Sequence, residues 1–284
     1  MLGALALVGI GIGGIFVWIA GSVLVTPANH PVGLPPDRLH AENVSFPSTS
    51  GTTVRGWFLP GQPGHGAVVL MHGVYADRRS LIPRAEFLSR AGYAVLLFDF
   101  QAHGASPGKL ITFGYLESRD ATAAVKFLHQ KLPGEKVGII GISLGAAAAQ
   151  LADPPLPVNA MVLESSYPTI YQATEDRLAI RIGWLARLAT PLLTCQLKPR
   201  LGIGIDDLKP IAHARTLAVP KFYLAGTADL DTTIAEARSL FSAAAEPKQS
   251  WWIQGAGHVD LHAFARRDYE DRVLAFLAQY LGSN

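Results

Sequence analysis

The stretch GIIGISLGAAAAQLA, residues 138–152, decides how the rest of the chain is read. Its first half is a short apolar run of the kind that forms a strand buried on both faces. Its second half is rich in alanine and reads as a helix. Ser143 stands at the turn between them, flanked by Gly141 and Gly145. A G-x-S-x-G turn needs small residues two before and two after the serine, because strand and helix backbones pass close on either side. Two roles are open to Ser143 from this stretch alone. It can cap the following helix, as serine often does, or it can be a nucleophile presented on a sharp turn. In the second case the Leu144 amide, at a helix N-terminus, is placed to donate to a developing oxyanion.

Outward from this turn, the chain alternates apolar runs with helical patterns. ENVSFPS and TTVRGWFLP read as an outer hairpin joined at TSG. GAVVLMHG, YAVLLFDF, KVGIIGI, AMVLES, PKFYLAG and QSWWIQG read as six further strands. Between them RRSLIPRAEFLSRAG, YLESRDATAAVKFLHQ, TTIAEARSLFSAAA and YEDRVLAFLAQYL carry helical spacing. Alternation of this kind predicts a mostly parallel, eight-stranded sheet with helices on both faces. One segment, about 167–217, is far longer than a simple crossover needs. It is expected to be a helical, cap-like insertion, with Trp184 and nearby arginines able to touch a lipid surface.

The ends of the chain differ in character. From Leu2 to Val25 there is no charged residue, and a helix of that length reaches the ~30 Å of a hydrocarbon core. Residues 1–26 are therefore expected to be a single N-terminal transmembrane anchor. A Pro-rich linker follows at 27–40, then a catalytic body at 41–284. The nearest basic residue, Arg38, favours a cytoplasmic body by the positive-inside rule. A net charge of +2 without a Lys/Arg run gives no reason to expect a nucleic-acid partner. The single cysteine, Cys195, excludes an intramolecular disulfide and a cysteine zinc cluster. Asp206-Asp207 has no metal-ligand pattern and no glycine-rich phosphate loop is present, so neither a metal nor a cofactor is expected.

A serine hydroxyl needs a base, and the base needs a group that fixes its tautomer. FYLAGTADLD ends a strand just before Asp229, and WWIQGAGHVDL ends another just before His258. Both exits fall at the carboxyl edge of the sheet, where ligands of open parallel sheets gather. The order Ser143, Asp229, His258 is that of one hydrolase architecture. Asp231 is a rival acid, though it could equally cap the helix that begins near Thr232. MHGVYADRRS supplies a second loop, from which the Val74 amide can complete an oxyanion hole with that of Leu144. His72 in that loop reads as structural, and Glu164 as a carboxylate behind the site. Glu117 and Asp120 are expected on a solvated helix face.

Together MHGVYADRRS, GYAVLLFDFQAHGAS, FGYLESRDATAAVKFL, GISLGA, LESSY, AGTADLDTT and GAGH resemble the α/β-hydrolase superfamily, over roughly residues 40–282. More specifically, the chain resembles the membrane-anchored BEM46-like group of yeast and animals. It implies an α/β-hydrolase fold with Ser143 as nucleophile, Asp229 orienting His258, and His258 as general base and then acid. It also implies oxyanion donors from Val74 and Leu144, with Gly141 and Gly145 as the glycines of the nucleophile elbow. The expected activity is acyl transfer on an ester or thioester, with a small or lipid-like acyl substrate. The alternatives are aminopeptidase-like amide hydrolysis, which uses the same machinery, and a non-catalytic membrane-tethered binding module of the same fold. One departure stands out: the usual Asp-x-Arg-Gly-His-Gly is here DFQAHG, with Gln101 and Ala102 in place of Arg and Gly.

Overall fold

A computed structural model describes residues 14–282. The chain opens with helix α1 (Gly14–Leu24). Then come β1 (Ala28–Asn29), β2 (Glu42–Pro47), β3 (Thr53–Leu59), β4 (Ala67–Met71), α2 (Ile82–Arg90), β5 (Ala94–Asp99), β6 (His103–Gly104) and α3 (Tyr115–Lys131). Next are β7 (Val137–Ile142), α4 (Leu144–Leu151) and β8 (Ala160–Glu164). The insertion contributes α5 (Ile170–Ile182), α6 (Ala186–Thr194), α7 (Leu197–Leu201) and α8 (Pro210–Ala214). The chain closes with β9 (Lys221–Gly226), α9 (Ile234–Ala243), β10 (Lys248–Ile253), α10 (Leu261–Phe264) and α11 (Arg266–Leu281).

Eight strands form one sheet in the order β10-β9-β8-β7-β4-β5-β3-β2. β3 runs antiparallel to both neighbours, and the remaining pairs are parallel. The apolar runs behave as their composition dictates, with successive side chains feeding opposite faces. In β4, Ala67, Val69 and Met71 join a core with α3 and α4, while Val68 and Leu70 join one with α2 and α11. From β4 the chain moves first to β5 on one side and then to β7 on the other. A crevice therefore opens at the carboxyl ends of β4 and β7. Met71 pairs with Gly141 there, so the MHG and GISLG loops leave the sheet side by side.

The Pro-rich stretch after α1 is bound along the body. Ala28 N donates to Ala102 O and His30 N to Gly104 O, at 2.8 and 2.9 Å, and Val32 and Leu39 are buried. The described part of the expected anchor, α1, is about 16 Å long at ~1.5 Å per residue. Residues 2–13 of that expectation lie outside the described residues. By length and composition Ile170–Leu201 is apolar enough to cross a bilayer. It is not one straight helix, because the chain breaks at Gly183 (φ 56°, ψ −134°) and α6 packs back on α5.

Candidate active site

The turn at Ser143 is built by close approach. A Cβ on Gly145 would sit 2.4 Å from Met71 O, and one on Gly141 would sit 2.7 Å from Ala146 N. Only glycine lets β4, β7 and α4 pack at this distance. The cost falls on Ser143, held at φ 50°, ψ −105°, outside the ordinary regions for an L-residue. Its amide donates to Glu164 O at 2.8 Å, which fixes the turn to the end of β8. Ser143 stands at the N-cap position of α4, yet its side chain makes no capping hydrogen bond. The hydroxyl is left for another partner.

Across the crevice, a Cβ on Gly73 would meet Ser143 Cβ at 3.8 Å, so the loop after β4 runs beside the serine. His72 shapes that loop. Its Nδ1 donates to Gly73 O at 2.7 Å and its Nε2 accepts from Phe100 N at 3.1 Å. Burial, helped by neighbouring His103, pushes its pKa down to about 3, so the ring stays neutral and serves as a brace. Among the described residues neither the Val74 nor the Leu144 amide donates to another backbone group.

Asp229 and His258 leave the sheet on the adjacent β9 and β10. Asp229 Oδ1 accepts from the amides of Asp231 and Thr232, both at 2.9 Å, and Oδ2 lies 2.8 Å from His258 Nδ1. The Asp229 side chain is fully buried. With Nδ1 donating to a carboxylate, Nε2 of His258 is the unprotonated nitrogen and faces away from the acid. Among the described residues the His258 ring bonds Asp229, and no hydrogen bond joins it to Ser143 Oγ. Asp231, the rival acid, turns instead to Arg177 of α5 at 3.5 Å. It does not cap the next helix either, since Thr233 accepts from Glu236 N and caps α9. Asp229, Asp231 and His258 have ligand atoms within 4.8 Å of one another and are the one such group among the described residues. Three N–H donors already occupy the Asp229 oxygens, an arrangement that suits a hydrogen-bond acceptor better than a metal ligand.

Behind the site runs a network that sequence reasoning only touched. Glu164 is buried and pairs with Arg84 of α2 at 2.8 Å, while the Tyr269 hydroxyl donates to it at 2.5 Å. The same guanidinium reaches Asp260 at 2.7 Å, two residues beyond His258. Asp260 in turn caps α10 by accepting from the His262 amide. The elbow end of β8 and the histidine loop are thus tied to one buried arginine. The signal in sequence was weak: Glu164 at a strand exit was visible, but a helical arginine eighty positions earlier was not.

The expected solvated face at Glu117 and Asp120 is wrong, because both are fully buried. Glu117 accepts from the amides of Thr112 and Gly114 and from Gln101 Nε2, at 3.0, 2.8 and 2.8 Å. Asp120 accepts from Ser50 Oγ and Gln101 N, at 2.5 and 2.7 Å. The two carboxylates hold the DFQAHG loop, Gln101 bonding Glu117 through its side chain and Asp120 through its amide. Ala102 stands at φ 58°, a conformation that favours glycine.

A family model described as serine aminopeptidase, S33, matches residues 62–203, half of the chain. The match includes the loops of Val74 and Ser143 and ends before Asp229 and His258. An uncharacterized protein of Mycobacterium tuberculosis is 27% identical over 270 residues, covering 93% of this chain and 89% of its own. A polyketide transferase of Aspergillus fumigatus is 29% identical over 126 residues, 40% of this chain and 41% of its own. Among solved structures, an esterase of Pyrococcus furiosus superposes with a TM-score of 0.75 at 23% identity, covering 91% of this chain and 99% of that one. At that identity the likeness speaks for the fold.

Proposed function

The chain belongs to the serine aminopeptidase S33 family of α/β-hydrolases, and from that premise we propose that it is a membrane-anchored serine hydrolase cleaving ester or thioester bonds. The observation that carries this reading is the buried Asp229, held by two amides, with His258 Nδ1 at 2.8 Å. Ser143, strained and with no capping bond to make, leaves the same edge of the sheet on β7, two strands from β9.

In this reading Ser143 Oγ attacks the acyl carbonyl as His258 Nε2 takes its proton. The Val74 and Leu144 amides stabilise the tetrahedral oxyanion, each such donor being worth ~10²–10³ in rate. The C–O or C–S bond then breaks and His258 returns the proton to the leaving alcohol or thiol. Water, deprotonated by the same histidine, hydrolyses the acyl-enzyme and frees Ser143. Asp229 holds the productive tautomer and stabilises the imidazolium.

The ester preference draws support from the Pyrococcus esterase fold, and the anchor from the uncharged run Leu2–Val25. The family description itself favours a second reading, cleavage of amide bonds next to an amino terminus. A kcat/KM panel of the full-length protein in detergent separates them, with p-nitrophenyl esters and thioesters of graded chain length set against aminoacyl amides. The ester reading expects acyl esters or thioesters to exceed aminoacyl amides by about a thousandfold, beyond the ~10–200-fold that one pocket methylene supplies. The reverse order would establish the aminopeptidase reading.

A further inference from the structure

Helix α6 is built inside out. Its inner face is small and hydroxylic: Ala186, Thr190 and Thr194 are buried, and the two threonines return their hydroxyls to the helix backbone. Its outer face carries the large apolar side chains. Leu188 is 63% exposed, Leu192 54%, and Trp184 in the preceding turn 75%. A helix of a water-soluble body presents the opposite pattern, and contiguous exposed apolar surface marks a docking site.

The occupant is indicated by what adjoins this face. α1, at the end of the uncharged run, packs on α7 immediately after α6. Gly21 is close enough that a Cβ there would lie 2.3 Å from Gln196 Oε1, and Gln196 Nε2 donates to Val17 O. Arg200 donates to Ser22 Oγ and Trp18 O, and its guanidinium lies 3.9 Å above the Trp18 ring. Ile15, Phe16, Ile19 and Val23 of α1 are exposed beside it. The charge is mostly one-sided: residues 1–36 carry no acid, and residues 177–205 carry five basic residues and no acidic one. Arg177 and Arg187 face Asp231 and Glu175, while Arg181, Lys198 and Arg200 face no carboxylate among the described residues. Exposed aromatic and aliphatic groups among cations fit an anionic phospholipid surface. A second copy of the chain fits poorly, because a twofold contact would set these cations against one another.

We propose that the outer face of α6 and the exposed side of α1 form one surface that docks on an anionic phospholipid bilayer. Through it the site receives amphipathic acyl esters whose chains rest in that leaflet. The proposal extends the anchor reading by giving the insertion its own contact with lipid, and its substrate half rests on the hydrolase reading. The route to the site is short. The Tyr75 hydroxyl, one residue past Val74, donates to Leu24 O at the end of α1, at 2.6 Å. Arg177 ties α5 to the loop of Asp229, and Leu230 and Val259 stand exposed next to the acid and the base.

The test uses the full chain with Cys195→Ser, which removes the single cysteine, and a spin label at Trp184→Cys, Leu188→Cys or, as control, the exposed Lys126→Cys. The protein is reconstituted in vesicles containing phosphatidylglycerol. Labels at 184 and 188 are expected to collide with oxygen in preference to a water-soluble nickel chelate, and the label at 126 the reverse. Equal access of nickel at all three positions overturns the proposal, as does shielding of 184 and 188 from both reagents by a second copy. In a second arm, Trp184→Ser/Leu188→Ser/Leu192→Ser is expected to lower the ratio of vesicle-borne long-chain ester hydrolysis to soluble short-chain ester hydrolysis about tenfold or more. An unchanged ratio overturns the substrate half. The depth readout needs no turnover, so an inactive protein with buried labels would count against the hydrolase reading alone. Failure of wild-type protein to float with the vesicles would count against the anchor.

Discussion

His258 Nδ1 and Asp229 Oδ2 lie 2.8 Å apart, and the acid's other oxygen is already held by the amides of Asp231 and Thr232. The carboxylate cannot turn away from the ring without abandoning two hydrogen bonds. Asp229→Asn keeps an acceptor for those amides but presents an N–H₂ group to the histidine, which forces the other tautomer. The expected outcome is a folded protein with kcat lower by about 10³–10⁴, measured on the best ester of the panel. Asp231→Asn, which touches Arg177 and not the ring, is expected to stay within about tenfold of wild type.

The Glu164–Arg84–Asp260 network carries stability and geometry together. Arg84→Met strands Glu164 as a buried carboxylate, which costs about 3–5 kcal/mol in denaturant unfolding. The double variant Arg84→Met/Glu164→Gln removes the stranded charge and is expected to recover part of that loss. Activity should not recover with it, because Asp260 still lacks the partner that fixes the histidine loop.

Gly145→Ala tests the elbow. Its new methyl would stand 2.4 Å from the Met71 carbonyl, a backbone atom that cannot move aside without shifting β4. A loss of about 1–3 kcal/mol or more is expected, together with lost activity as Ser143 and the Val74 loop separate. Gly134→Ala makes a control for added bulk away from the site, since open space surrounds Gly134, where the positive φ adds only backbone strain.

Asp176 of α5 and Glu236 of α9 form a carboxyl pair between insertion and core. Asp176 Oδ2 and Glu236 Oε1 are buried without another donor, so one proton shared between them satisfies both. Burial, then the neighbouring Asp176, raises the Glu236 pKa to about 8 from an ordinary 4.5. An acid whose folded pKa exceeds its unfolded value binds protons more tightly when folded, so stability falls as pH rises between the two values. Asp120, raised by burial to about 6, contributes in the same direction over the lower part of that range. These two acids therefore pull stability down from about pH 4.5 to about 8, and buried neutral His72 pulls it the other way below about 6.5. Above about 6.5 a decline is expected that Glu236→Gln flattens. A profile unchanged by the substitution would contradict the shared proton.

Much of this was legible in the sequence because it is local. Continuous apolar runs gave the strands, the glycines around Ser143 gave the elbow, and strand exits before Asp229 and His258 gave candidates for acid and base. What could not be read was long-range polar pairing. Glu117 and Asp120 sit on a helix whose sequence does not say which face meets a loop, and the amides they bind belong to residues with no polar side-chain signature, such as Gly114. Arg84 looks like any helical arginine until the fold brings α2 under β8. The inverted polarity of α6 was half visible, since Trp184, Leu188 and the arginines were evident but the inward direction of Thr190 and Thr194 was not.

The claim on which the rest depends is that Ser143 is a nucleophile activated by His258, and a fluorophosphonate probe reads it without knowledge of the substrate. The full-length protein should be labelled at Ser143 in a time-dependent reaction that is abolished by Ser143→Ala and severely slowed by His258→Ala. Failure of the wild type to label, or equal labelling of Ser143→Ala, would contradict it.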